Sequence, residues 1–128
     1  SIPYFLWWKC IQATTGIYIE PHMKIAPGLF IGHYGQIIVG VKEIGRDCNL
    51  AQGVTLGYGY KGGEWGLPVL GDRVWIAAGA KILGPIKLAN GTVVGANAVV
   101  THDTEENAVV AGVPAKVLSY KGSADYIK

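Results

Sequence analysis

Branched aliphatic residues fall at every sixth position from Leu70 to Val100: Leu70, Ile76, Ile82, Leu88, Val94 and Val100. Small residues follow several of them directly, at Gly71, Ala77, Ala89 and Gly95. Apolar or small residues also recur two places before each, at Val74, Ala80, Ile86, Thr92 and Ala98. A period of six matches neither the 3.6 of a helix nor the alternation of a lone strand. Fixed self-similarity this short predicts a solenoid, and a hexad period predicts a parallel β-helix. Each hexad forms one flat face and three close a triangular coil. The aliphatic points inward, the small residue turns the corner and the polar positions meet water. Coils then stack at about 4.8 Å, each backbone group pairing with the coil above or below.

The same frame reaches back through Ile19, Ile25, Ile31 and Ile37, with Met23 and Leu29 at the second inward position. One extra residue within Val39–Glu43 shifts it before Ile44, Leu50 and Leu56 resume. Residues 57–68 (GYGYKGGEWGLP) break the pattern and predict a loop thrust out of the scaffold, where function tends to sit. Ala108–Val110 predicts the last short strand. The expected organisation is an N-terminal helical cap (1–16), a β-helix domain (17–118, loop 57–68) and a C-terminal tail (119–128). About thirteen hexads at three per coil give an all-β fold of four to five coils. The cap, with Pro3 in its first turn and Gly16 after it, is expected to lie over the first coil or on a neighbouring copy.

Composition narrows the functional classes. Among 128 residues half are hydrophobic, 16% are charged and 19 are Gly, which suits small aliphatic interiors and tight corners. A net charge of +2 with scattered Lys and Arg leaves no basic stripe, so nucleic acid is not an expected partner. No apolar run is long enough for a membrane span. Lys9 as the single basic residue of the cap argues against a membrane-surface helix, and with no cleavable leader visible the expected setting is the cytoplasm. Of the two cysteines, Cys48 occupies an inward position and is expected to be a buried free thiol.

The loop contains a literal G-x-G-x-x-G at Gly57, Gly59 and Gly62, but Gly63-Glu64-Trp65-Gly66-Leu67-Pro68 follows and cannot open a helix, so a dinucleotide site is excluded. His22 and His102 sit among polar residues and read as surface side chains. His33, on the outer surface of a prism face, has neighbours of little bulk (Gly32, Tyr34, Gly35), and a neutral imidazole there can take a proton from a hydroxyl. No nucleophile–base–acid order, carboxylate pair or metal-ligand spacing appears, so no metal is expected. Direct transfer to an acceptor hydroxyl is the chemistry that fits.

These residues resemble the hexapeptide-repeat acyltransferases, in their serine acetyltransferase-like branch. The carriers are Ile31-Gly32-His33-Tyr34-Gly35, Gln52–Gly57, Ile76–Gly84 and Ala111–Lys116, within a likeness running from about Gly16 to Leu118. The resemblance implies a left-handed coil, against the usual right-handed rule for parallel crossovers, and a homotrimer with sites in the grooves between copies. It implies acetyl-CoA as co-substrate, its pantetheine arm held by backbone at Gly59, Ala78 and Ala96 and its phosphates met by Lys116. His33 matches the general base, with the Ala78 N–H as the expected oxyanion donor. Tyr18, Glu20 or a backbone carbonyl is expected to orient the imidazole.

The chain also departs from the branch. The loop His and Arg that take serine's carboxylate fall on Leu67 and Gly66, the acidic partner of the base on Tyr18, and the Asp before the base on Gly32. The Gly-His-Tyr-Gly form and the aromatic loop look more like the short relatives in polysaccharide gene clusters, and that resemblance implies a sugar hydroxyl of a polysaccharide precursor as acceptor, with Tyr58, Tyr60 and Trp65 stacking on the ring and Glu64 taking a hydroxyl. Serine is the alternative acceptor, and a non-catalytic trimeric β-helix the further one.

Overall fold

A computed structural model describes residues 2–128. One helix, α1 (Ile2–Thr15), precedes the coils. The first coil is Ile17–Ile19 (β1), Lys24–Ile25 (β2) and Phe30–Ile31 (β3); the second is Ile37–Val39 (β4), Glu43–Ile44 (β5) and Asn49–Leu50 (β6). The third begins with Thr55–Gly57 (β7), is interrupted by a hairpin of Gly59–Lys61 (β8) and Glu64–Gly66 (β9), and ends with Val69–Leu70 (β10) and Trp75–Ile76 (β11). The fourth is Lys81–Leu83 (β12), Lys87–Leu88 (β13) and Val93–Val94 (β14). The fifth has Val99–Val100 (β15), a bridge at Thr104 and Val109–Ala111 (β16), after which Lys116–Ser119 (β17) turns back antiparallel.

Strands of successive coils pair in parallel into three faces. Face A is β1-β4-β7-β12-β15, face B is β2-β5-β10-β13, and face C is β3-β6-β11-β14-β16. This is the left-handed parallel β-helix implied by the repeat and its resemblance, with five coils. Backbone bonds such as Asn49 N–H to Val74 O (2.9 Å) and Lys81 N–H to Ala98 O (2.8 Å) tie each coil to the next. Inside, Val39, Leu56, Ile82 and Val100 stack in one column and Ile44, Leu70 and Leu88 in another, all buried. Each such side chain contributes roughly 1.5–3 kcal/mol by leaving water. Cys48 is buried and free, its thiol donating to Gly71 O at 3.2 Å.

The structure moves three details of the pattern. The frame shift lies one turn earlier than the spacing indicates: Ile19 pairs with Val39, not Ile37, so the extra residues enter at 32–36 and one is lost between Val39 and Ile44. Ile37 still points inward because it lies two residues from Val39 on the same side of the strand. Residues 57–68 form a hairpin rather than an irregular loop, with Tyr60 opposite Trp65 and Gly62 and Gly63 at φ 62° and 85°. Two residues with positive φ make the turn whose twist suits a two-residue hairpin. The tail folds back down the prism: Gly122 N–H reaches Asn107 O (3.0 Å), Tyr126 stacks on Trp75 (4.9 Å), and Lys128 N–H reaches Asn49 Oδ1 (2.9 Å).

Helix α1 touches the first coil through Trp8, whose indole N–H donates to Ile19 O at 2.9 Å and whose ring meets Tyr18 at 5.5 Å. Ile2, Phe5, Leu6 and Trp7 remain exposed. Among the described residues no helix is long and apolar enough to cross a membrane.

Candidate functional site

The corner between faces C and A carries four of the eight candidate residues, His33, Ala78, Ala96 and Lys116. It is a column of turns linked from coil to coil: Gly53 N–H to Gly35 O, Gly79 N–H to Gln52 O, Asn97 N–H to Ala78 O and Val99 N–H to Gly112 O. Each step is one coil, so four steps span about 19 Å. His33 stands at the lower end, Ala78 and Ala96 lie along the column one coil apart, and Lys116 follows the upper end.

His33 lies in the widened turn 32–36 rather than on the flat face that the hexad frame assigns it. The extra residues carry the imidazole clear of the ladder and leave it exposed. No hydrogen bond or ion pair of the described residues holds it. The Tyr18 hydroxyl instead donates to Glu20 Oε2 at 2.9 Å, which raises the Tyr18 pKa above its ordinary value. Glu20 lies just beyond β1, toward the opposite edge of face A, so neither Tyr18 nor Glu20 orients His33 within this chain. Of the other histidines, His22 is exposed and the His102 Nδ1 lies 3.1 Å from Thr101 Oγ1.

Ala78 and Ala96 share a useful property. Their N–H groups find no acceptor among the described residues, although the carbonyl of Ala78 is bound. With only a methyl group beside each, a row of free donors at coil spacing is open to an extended ligand carrying carbonyls. Lys116 is exposed after the cis Val113–Pro114 bond and has no acidic partner among the described residues.

Gly59 is not on this edge. It begins β8 at the opposite, A–B, edge of the face, and a Cβ there would lie 2.6 Å from Gly84 N. Its lack of a side chain thus answers a packing need on the fourth coil. Tyr58, Glu64 and Trp65 are exposed on the same hairpin. Tyr58 and Tyr60 flank Trp65, with ring centroids 6.1 and 5.6 Å away, and Lys61 pairs with Asp103 at 3.7 Å.

Face A between the two edges holds a cavity of about 790 Å³ that sequence reasoning missed. Its floor is the outward column Tyr18, Ile38, Thr55 and Lys81, which register pairing places on successive coils. Gln12 of α1 and Gln36 of the His33 turn close its lower end. The outward positions are polar or mixed in sequence, so no hexad pattern distinguishes a concave face from a flat one. Among the described residues no cluster of three or more His, Cys, Asp or Glu is placed to hold a metal ion.

Comparison with known proteins places this arrangement. Residues 68–102 match the bacterial transferase hexapeptide (six repeats) family. The serine acetyltransferase of Mycobacterium tuberculosis is 44% identical over 105 residues, covering 81% of this chain and 46% of that protein. The crystal structure of serine acetyltransferase from Brucella abortus superposes with a TM-score of 0.83 at 29% identity, covering 94% of this chain and 49% of that one. A serine acetyltransferase in complex with CoA superposes at 0.76 with 35% identity, covering 89% of this chain and 47% of that one. The chain thus spans about half the length of these relatives.

These relatives overturn the sugar acceptor expected from the aromatic hairpin and the missing loop cation, because proteins 39–44% identical to this chain, and its structural neighbours, are serine acetyltransferases. The physical reason is visible in the hairpin. Its exposed aromatic rings pack on one another across a two-stranded turn, so their presence does not by itself specify a sugar.

Proposed function

We propose that this chain, which belongs to the serine acetyltransferase-like branch of the hexapeptide-repeat acyltransferases, transfers an acetyl group from acetyl-CoA to the hydroxyl of L-serine. The observation that carries the reading is the 44% identity to a serine acetyltransferase across 81% of the chain. The C–A edge supports it chemically.

The pantetheine arm lies along the edge from Lys116 toward His33, its amides meeting the free N–H groups of Ala96 and Ala78. Lys116 meets the CoA phosphates as a point charge. The His33 imidazole accepts the serine hydroxyl proton as the oxygen attacks the thioester carbonyl. The resulting oxyanion is stabilised by the Ala78 N–H. When the tetrahedral intermediate collapses, the C–S bond breaks and imidazolium returns its proton to the CoA sulfur. The products are O-acetylserine and CoA.

Both edges flank face A. In a homotrimer, a groove where the C–A edge of one copy meets the hairpin of the next gathers His33, Ala78, Ala96 and Gly59 in one place. It also gives the exposed imidazole a neighbouring surface to orient it.

Release of CoA from acetyl-CoA with and without L-serine tests the proposal. Serine-dependent release with O-acetylserine as product is the expected result. Release at the same slow rate with and without serine would overturn it.

A further inference from the structure

The serine reading leaves a gap in the chemistry. A carboxylate entering a partly desolvated site needs a cation or several donors, yet the hairpin offers Gly66 and Leu67 where the branch supplies them. Its one cation, Lys61, is paired with Asp103. The face-A cavity contains a single charged side chain among the described residues, Lys81. Two of the three ammonium hydrogens of Lys81 are directed at the carbonyls of Gly79 and Gly53, which leaves one donor and the full charge unmatched by any acid. Those carbonyls belong to the C–A edge, and the cavity's other wall, Gln36, ends the His33 turn. The cation therefore shares one cavity with the residue that ends the turn of the proposed base, and it is held by backbone rather than by a flexible partner.

We infer that Lys81 is the positioning residue for the acceptor's carboxylate, held in place by Gly53 and Gly79 and serving in place of the hairpin cation this chain lacks. The inference rests on the serine reading and deepens it. It is tested with L-serine against L-serinamide, which keeps the hydroxyl and the ammonium group and lacks only the carboxylate. The unmodified protein should prefer serine by about tenfold to a hundredfold in kcat/KM, the range of a charge-assisted hydrogen bond. In Lys81→Met that preference should collapse through KM for serine, with KM for acetyl-CoA within about twofold of the original.

A merely structural role for Lys81 would depress both acceptors alike, and a retained preference in Lys81→Met would overturn the assignment. Lys81→Arg should keep the preference, and Lys81→Gln, read where Lys81→Met proves unfolded by thermal melting, should lose it. An unmodified protein that turns over both acceptors equally would refute the carboxylate site while leaving acyl transfer standing. One that turns over neither would overturn the serine reading and this inference together.

Discussion

Replacing His33 with alanine separates chemistry from architecture in a single measurement. The imidazole is exposed, lies in a turn outside the ladder and makes no hydrogen bond or ion pair within the described residues, so its removal breaks no contact. The unfolding free energy should stay within about 0.5 kcal/mol, the range of surface substitutions that touch nothing. Turnover should respond quite differently. A positioned general base contributes about 10²- to 10⁴-fold, and at 1.36 kcal/mol per tenfold this is roughly 2.7–5.4 kcal/mol of lost transition-state stabilisation. CoA release with saturating serine and acetyl-CoA reads the rate directly. A thiol reagent in that assay will also see exposed Cys10, a stoichiometric offset to be subtracted, whereas Cys48 is buried. His33→Gln, which keeps a polar side chain but no base, should fall as far as His33→Ala. A rate within about threefold of the original, in protein with an unchanged melting profile, would show that His33 is not the base.

The scaffold yields further expectations. Ile82→Ala removes three carbons from a site with no exposure between Leu56 and Val100; ladder bonds on both sides prevent collapse, and urea unfolding should show a loss of about 2–5 kcal/mol. Gly45→Ala would set a Cβ 2.4 Å from Gly71 O and from Asp72 Oδ1, and should cost about 1–3 kcal/mol by the same measurement. Gly57→Ala, whose Cβ would meet nothing closer than 3.8 Å, is the control, and equal losses in the two would refute the steric argument. Burial pushes the Cys48 thiol above its ordinary value, so the folded state keeps a proton that the unfolded chain releases. That contribution to stability is complete below about pH 8.5 and drains as pH rises through the higher folded value. Unfolding at neutral pH and at about pH 10 should therefore show a steeper alkaline loss in the parent than in Cys48→Ala.

The hexad spacing alone decides that this chain coils and which side chains fill the coils, and bounds their number at four to five, because a six-residue period fits only a face of fixed length. Leu56, Leu70, Ile76, Ile82 and Leu88 are legible as core from their spacing, and all are buried. His33 is legible as a candidate from its small neighbours and the motif around it. The spacing could not show where the frame shift falls, since two residues gained at 32–36 and one lost before Ile44 leave the same net count as one gained after Val39. Only the inter-coil pairing distinguishes them, and it is that placement which lifts His33 out of the ladder. The aromatic hairpin shows the opposite limit: alternating Tyr60, Lys61, Glu64 and Trp65 around Gly62-Gly63 carry a hairpin signal, but ligand stacking and self-packing demand the same residue types. Lys81 is the clearest case. In sequence it is one polar position among many, and its meaning arises because parallel stacking sets it above Thr55, Ile38 and Tyr18 on the floor of one cavity. A repeat period fixes what points inward, because burial is a property of the pattern, whereas an outward face gains its chemistry from residues about eighteen or more positions apart that only the stacking of coils brings together.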